Sequence, residues 1–244
     1  MVTHSLADRP DLLEPALALG GVGAEFMRHD PVGGLTRARR LARRWPEFFL
    51  VVLDGDEPVA RAVGIPLAWP TEERTELPDH GWDGAILWAA QDALDERTPA
   101  ALCALDVQVA QARRGQGVAA TALGALRDRA REHGLGRFVV PVRPTGKREH
   151  PLVPMAEYVT RRRADGLPED PWLRTHERLG ACFVKIAPFA MTITGTLAQW
   201  REWTGLALVD GENEVPGGLV PVLASVTQDV GVYVEPNVWL EHPL

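Results

Sequence analysis

The residues best suited to chemistry stand together at Val107-Gln108-Val109-Ala110-Gln111-Ala112-Arg113-Arg114-Gly115-Gln116-Gly117-Val118-Ala119-Ala120. A strand-like stretch ends at Val109, a glycine-bearing turn follows, and helical spacing begins at Gly117. The first N–H groups of a helix lack partners inside it, and the macrodipole favours negative charge above them. Glycines let a bulky ligand come close to the backbone. The turn therefore suits a pyrophosphate gripped by the amides of Gly115, Gln116, Gly117, Val118, Ala119 and Ala120. A tight turn into a helix with nothing bound would carry the same glycines. A phosphate loop needs Gly-Lys-Ser/Thr, and Gly117-Val118-Ala119 is not that. Gly115-x-Gly117-x-x-Ala120 meets the dinucleotide fingerprint formally, and Arg143 in the next strand's wake could meet a 2′-phosphate. That motif, however, lies behind antiparallel strands and has no second mononucleotide half after it.

Composition sets the frame for this turn. The chain has 244 residues, 45% apolar and 24% charged, an ordinary globular balance with ample length for a core. No apolar run approaches the roughly 20 residues of a membrane span. Met1 to Pro10 shows no basic start followed by an apolar stretch, so neither a secretory signal nor a membrane partner is expected. Two cysteines, Cys103 and Cys182, read as reduced thiols in a cytoplasmic protein rather than a disulfide framework. The net charge of −7 argues against a nucleic-acid partner. Basic residues nonetheless concentrate between Arg113 and Arg148, against only Asp128 and Glu132, as suits an anionic ligand bound in one place.

The elements that would position the turn follow from periodicity. Asp11 to His29 reads as a broken helix and Leu35 to Arg44 as a basic one. Phe48 to Leu53 is a strand covered on both faces, and Val59 to Leu67 returns antiparallel through Asp54-Gly55-Asp56-Glu57-Pro58. Thr71 to Pro99 is a long excursion carrying Trp82 and Trp88. Ala101 to Val109, Gly117 to His133 and Arg137 to Val142 make a βαβ unit with parallel strands. Leu173 to Leu179 is a short helix, Cys182 to Ala187 a strand, and Leu197 to Trp203 a helical turn. Leu219 to Val226 and Val230 to Trp239 are extended. No linker divides the chain, so residues 1–244 are expected to form a single α/β domain with a mixed sheet.

Arg114-x-x-Gly117-x-Ala119, after a strand ending at Val109, resembles motif A of the GNAT superfamily of acyl-CoA N-acyltransferases. Two helices and a hairpin before the motif, and a strand, helix and Leu179-Gly180-Ala181 after it, are similar to that family's order. The resemblance spans about residues 1–195, with an insertion at 144–171 and a C-terminal strand extension at 196–244. It implies a mixed sheet whose two parallel strands splay apart. Pantetheine would pair with backbone near Val107 and Val109, the amides of Gly115 to Ala120 would hold the pyrophosphate beside Arg114, and Thr121 would add a hydroxyl. Acetyl-CoA is the implied co-substrate, with no metal.

The resemblance also raises the question of proton transfer. The family commonly uses a Tyr on its last helix as general acid; here His176 occupies that position, and an imidazole can serve near neutral pH. Tyr158 is an alternative phenol. The family's frequent Glu base falls on Cys103, which reads as a small buried residue. Asp106, the nearest carboxylate, faces the other way unless a bulge intervenes. The 144–171 insertion reads as an ordered pocket wall. Arg143 ends a parallel strand, where α/β sheets place ligands, and with Trp172 and Arg174 it is a candidate for binding the acceptor. The tail around Tyr233 to Trp239 would close the acceptor site or pair with a second subunit in a homodimer. The expected activity is acetyl transfer to a small-molecule amine through a ternary complex. A non-catalytic acyl-CoA sensor and a GNAT-fold decarboxylase are the alternatives.

Overall fold

Phe49 to Leu53 is apolar at every position because both faces of its strand are covered: alternate residues enter opposite cores. The computed structural model describes residues 1–20 and 23–244. Their elements are β1 (Val2–Ser5), α1 (Leu13–Ala18), α2 (Ala38–Arg44), β2 (Phe49–Asp54), β3 (Glu57–Leu67), α3 (Gly81–Leu94), β4 (Ala101–Val109), α4 (Val118–Glu132), β5 (Arg137–Val142), α5 (Met155–Tyr158), α6 (Pro171–Arg178), β6 (Cys182–Gly195), α7 (Leu197–Thr204), β7 (Gly211–Asn213), β8 (Val222–Ser225) and β9 (Val230–His242). The sheet runs β1-β2-β3-β4-β5-β9-β8-β7, and β6 pairs with β9. Only β4 and β5 are parallel.

Two apolar layers sandwich this sheet. Leu50, Val52, Leu102, Phe138, Val140 and Leu240 meet Val118, Ala122, Leu123 and Leu126 of α4. On the opposite face Phe49, Val51, Ile65, Cys103, Val139 and Trp239 meet α1, α2 and the Ala85-Ile86-Ala89 side of α3. A third cluster, around Phe26, Trp200 and Tyr233, seats α7 on the far end of β6 and β9.

The splay expected from the family pattern is present. β4 and β5 share three pairs, Ala101 with Arg137, Leu102 with Phe138, and Cys103 with Val139. Beyond them β4 stays on β3 as far as Val109, while β5 stays on β9 as far as Val142. A bulge separates the strands: register against β3 shifts between Val63 and Gly64, leaving Leu105 as the extra residue of β4. Bulges bend the strand that carries them. Pro141 also deprives β5 of one N–H just past the last shared pair.

Two expectations need correction. Residues 230–242 do not extend the core from outside; β9 lies between β5 and β6, inside the sheet. Strand order is set by pairing partners far apart in sequence, which periodicity does not reveal. The Thr71 to Pro99 excursion is not mainly loop either, because α3 occupies half of it. Trp239 of β9 is fully buried and donates its indole N–H to the Pro78 carbonyl at 2.8 Å. Trp239→Ala should therefore cost about 3–5 kcal/mol, seen as a lower urea midpoint at an unchanged slope.

Candidate active site

The turn before α4 has the geometry of an anion cradle. Gly115 and Gly117 adopt φ of +76° and +79°, a left-handed conformation that side chains disfavour. A Cβ at either would meet nothing within 4 Å, so the space in front of them is open. Gly117 is the N-cap of α4 and has no side chain to satisfy the first amides, and no acidic residue stands in the first turn. Gly115, Gln116, Gly117 and Thr121 are exposed, and Ala119 and Ala120 are half-buried. Arg114 is also exposed and folds back so that Nε donates to the Val109 carbonyl at 3.4 Å. Val107 and Val109, half-buried, lie on the stretch of β4 that β5 has left. The sequence-derived cradle residues are thus brought into one continuous strip.

The proton-transfer candidates are placed differently. His176 is completely buried, with Trp172 edge-on at 4.4 Å between ring centroids. Its Nδ1 lies 2.8 Å from Nε2 of His242. The Nε2 of His176 is buried without a hydrogen-bond partner. Burial, reinforced by the His242 ring, pushes the His176 pKa down to about 3, and burial takes His242 to about 4. Burial thus favours the neutral form of His176, the residue that the sequence reading expected to act as general acid, and holds its ring inside the fold against His242.

Tyr158 is likewise engaged. Its hydroxyl donates to Asp170 Oδ2 at 3.0 Å, and burial together with the Asp170 charge pushes its pKa upward. Asp170 also accepts from the amides of Gly146, Trp172 and Leu173, so it caps α6 while pinning the insertion. Arg174 donates to the Pro168 and Glu169 carbonyls at 2.9 Å, and Trp172 packs on His176. These three act within the insertion and its helix rather than presenting free groups to an acceptor. Arg143 is also paired: Nε reaches Glu235 at 2.8 Å and a terminal nitrogen reaches the Gly217 carbonyl at 2.7 Å. Asp106 bonds Arg61 at 3.0 Å and Gln108 at 2.7 Å, and burial raises the Cys103 thiol pKa.

Sequence reasoning missed three buried carboxyl groups. Asp30, Asp83 and Glu235 are 4%, 5% and 1% exposed. Asp30 accepts from the Val32 and Gly33 amides of its own turn. Asp83 stands in the first turn of α3 and keeps its Oδ1 buried without a hydrogen-bond partner. Burial, with the Asp30 charge beside it, pushes its pKa up to about 8, and burial raises Asp30 as well. Glu235 of β9 takes the Arg143 pair and the Tyr233 hydroxyl. Immediately before Asp83, Trp82 donates its indole N–H to Leu105 at 3.1 Å, the bulge residue of β4. Single Asp residues in a loop and a helix carry no local pattern, so no sequence signal pairs them.

With this geometry in place, residues 23–153 match the model of the acetyltransferase (GNAT) family. The chain belongs to that family and is an acetyltransferase. The arginine N-acetyltransferase avaD of Aspergillus versicolor is 38% identical over 207 residues, covering 76% of this chain and 70% of that protein. The loading GNATL domain of CurA from Lyngbya majuscula superposes with a TM-score of 0.59 at 14% identity, over 99% of this chain and 96% of that one. The GphF GNAT-like decarboxylase, in complex with isobutyryl-CoA, gives 0.53 at 17% identity, over 100% and 99%. Both structural likenesses concern the fold. Among the described residues no helix is long and apolar enough to cross a membrane, and no group of three metal-type ligands occurs.

Two outcomes test these placements. The native Asp83 pKa lies above its unfolded value, so the stability it contributes is complete below pH 4 and is lost as pH rises towards about 8. Asp83→Asn cannot ionise, so its stability advantage over the wild type should grow from pH 5 to pH 8, reaching on the order of 1–3 kcal/mol in urea titrations. His176→Phe should keep kcat within about threefold, where loss of a general acid would cost about 10²–10⁴-fold.

Proposed function

We propose that this chain transfers the acetyl group of acetyl-CoA to a nitrogen of a small-molecule amine, by direct attack within a ternary complex. The observation that carries this reading is the run of uncapped amides at the start of α4, facing open space beside the unpaired edge of β4. The residues present fit the co-substrate. Amides from Gly115 to Ala120 would hold the pyrophosphate, with the macrodipole of a 15-residue helix behind them. Arg114 and the Thr121 hydroxyl stand exposed at its flanks. Backbone groups near Val107 and Val109 would accompany the pantetheine arm into the gap.

The chemistry needed from the chain is modest. A neutral amine attacks the thioester carbonyl, a carbon–nitrogen bond forms, the carbon–sulfur bond breaks, and the thiolate leaves with a proton while the amine loses one. Holding both reactants in one geometry supplies much of the acceleration. Neither His176 nor Tyr158 is free to move these protons, which favours an acceptor delivered neutral or a proton passed through water. The relative named for arginine supports a small basic acceptor.

Thiol release from acetyl-CoA should be followed against a panel of amines, amino acids, hydrazines and aminoglycosides. Acceptor-dependent release is expected. Release without acceptor, or loss of CO2 from malonyl-CoA, would defeat the transferase reading. Gly117→Glu places a strained side chain and a negative charge in the cradle, and should raise the acetyl-CoA Kd at least about tenfold by calorimetry.

A further inference from the structure

The last shared pair of β4 and β5, Cys103 with Val139, stands just short of the bulge at Leu105. Leu105 has no counterpart in β3. Continuing the β4–β5 register would set it opposite Pro141, which has no N–H to donate. Its carbonyl instead accepts the indole N–H of Trp82 at 3.1 Å. Trp82 stands in the first turn of α3, and that turn is anchored on the other half of the sheet. The Pro78 carbonyl accepts from the Trp239 indole of β9 at 2.8 Å. The Asp79 carbonyl accepts from the Phe189 amide of β6 at 3.1 Å, and the Asp79 carboxylate pairs with Lys185 of β6 at 2.8 Å. Gly81 lies so close on β6 that a Cβ there would come within 2.5 Å of the Ala190 Cβ. Residues 78–82 therefore join β6 and β9, on one side of the parting, to β4 on the other. The Trp82 ring packs against both the apolar layer under α3 and the cluster around Trp200.

Resting on the transferase reading above, we propose that Trp82 is a positioning residue for acetyl transfer. It gives Leu105 the hydrogen bond that β5 withholds, and it makes the first turn of α3 a strut that fixes β4 relative to β6 and β9. Without the indole, neither β3 nor β5 offers the Leu105 carbonyl a donor, and this peptide is free to turn. Leu105 lies two residues beyond Val107, away from the pyrophosphate turn, so it borders the acyl end of the arm proposed above. A reacting centre tolerates little displacement there, since about 1 Å of misplacement can cost on the order of 10²-fold in rate. The thioester oxygen gains negative charge as the amine attacks, so the orientation of nearby peptide dipoles counts as well. The pyrophosphate turn is built separately, at the start of α4, and its grip does not depend on this bond.

Trp82→Phe removes the N–H and keeps an aromatic ring. Its kcat should fall about 10- to 100-fold, while its CoA Kd by calorimetry stays within about twofold of wild type. In the free protein, hydrogen exchange of peptides covering 104–109 should quicken at least about fivefold, with α4 unchanged. Trp88→Phe trims an indole from the same helix and should leave both kcat and exchange at wild-type values. A merely structural role for Trp82 would lower the melting temperature and leave kcat per folded molecule intact, which overturns the proposal. A kcat loss with unaltered exchange over 104–109 overturns it too. Should Trp82→Phe fail to fold, the wild type decides by nuclear magnetic resonance: slow solvent exchange of the Trp82 indole proton supports the strut, and fast exchange defeats it. If wild type leaves acetyl-CoA unconsumed with every amine offered, the transferase reading fails, and the exchange comparison still tests the strut.

Discussion

Hydrogen-bond partners are withheld from one line of main chain, and the working part of the molecule depends on that withholding. Parallel neighbours normally satisfy each other along their length, yet β4 and β5 do so for three residues and then part. Separation is stable because each strand is held from behind, β4 by β3 as far as Val109 and β5 by β9 as far as Val142. The unspent edge of β4 then runs into the turn at Gly115 and Gly117, where the helix leaves its first amides unspent too. Unpaired backbone polar groups are costly when buried. Here they are tolerated because the turn is open to water.

The polar groups around this gap divide into those that brace and those that remain unmatched. Lys147 is fully buried and donates to the carbonyls of His150 and Leu219, tying the insertion to the tail. Asp170 collects three amides and the Tyr158 hydroxyl. Arg143 and Glu235 link the end of β5 to β9. In each of these the charge meets enough donors or acceptors to offset its desolvation. The histidine pair is braced differently, by becoming neutral. Asp83 and His176 each leave one buried atom, Oδ1 and Nε2, without a hydrogen-bond partner.

Local pattern was enough for much of this. Unbroken apolar residues at Phe49 to Leu53, the turn at Asp54 to Glu57, and the small-residue face of α4 each follow from spacing that any neighbour would reward. Gly115 and Gly117 marked the cradle, since left-handed backbone at a helix start selects glycine by itself. The order of elements around Arg114-x-x-Gly117-x-Ala119 then pointed to the family and its splayed sheet.

What only folding decided was which distant residues meet. The insertion of Val230 to His242 between β5 and β6 is a matter of edge pairing across a long stretch of chain. That choice buried His242 against His176. It likewise carried Glu235 to Arg143, and α3 carried Asp83 to Asp30. A side chain's type and its local spacing are written in the sequence, whereas its charge state and freedom depend on desolvation and partners, and these exist only once the layers have closed.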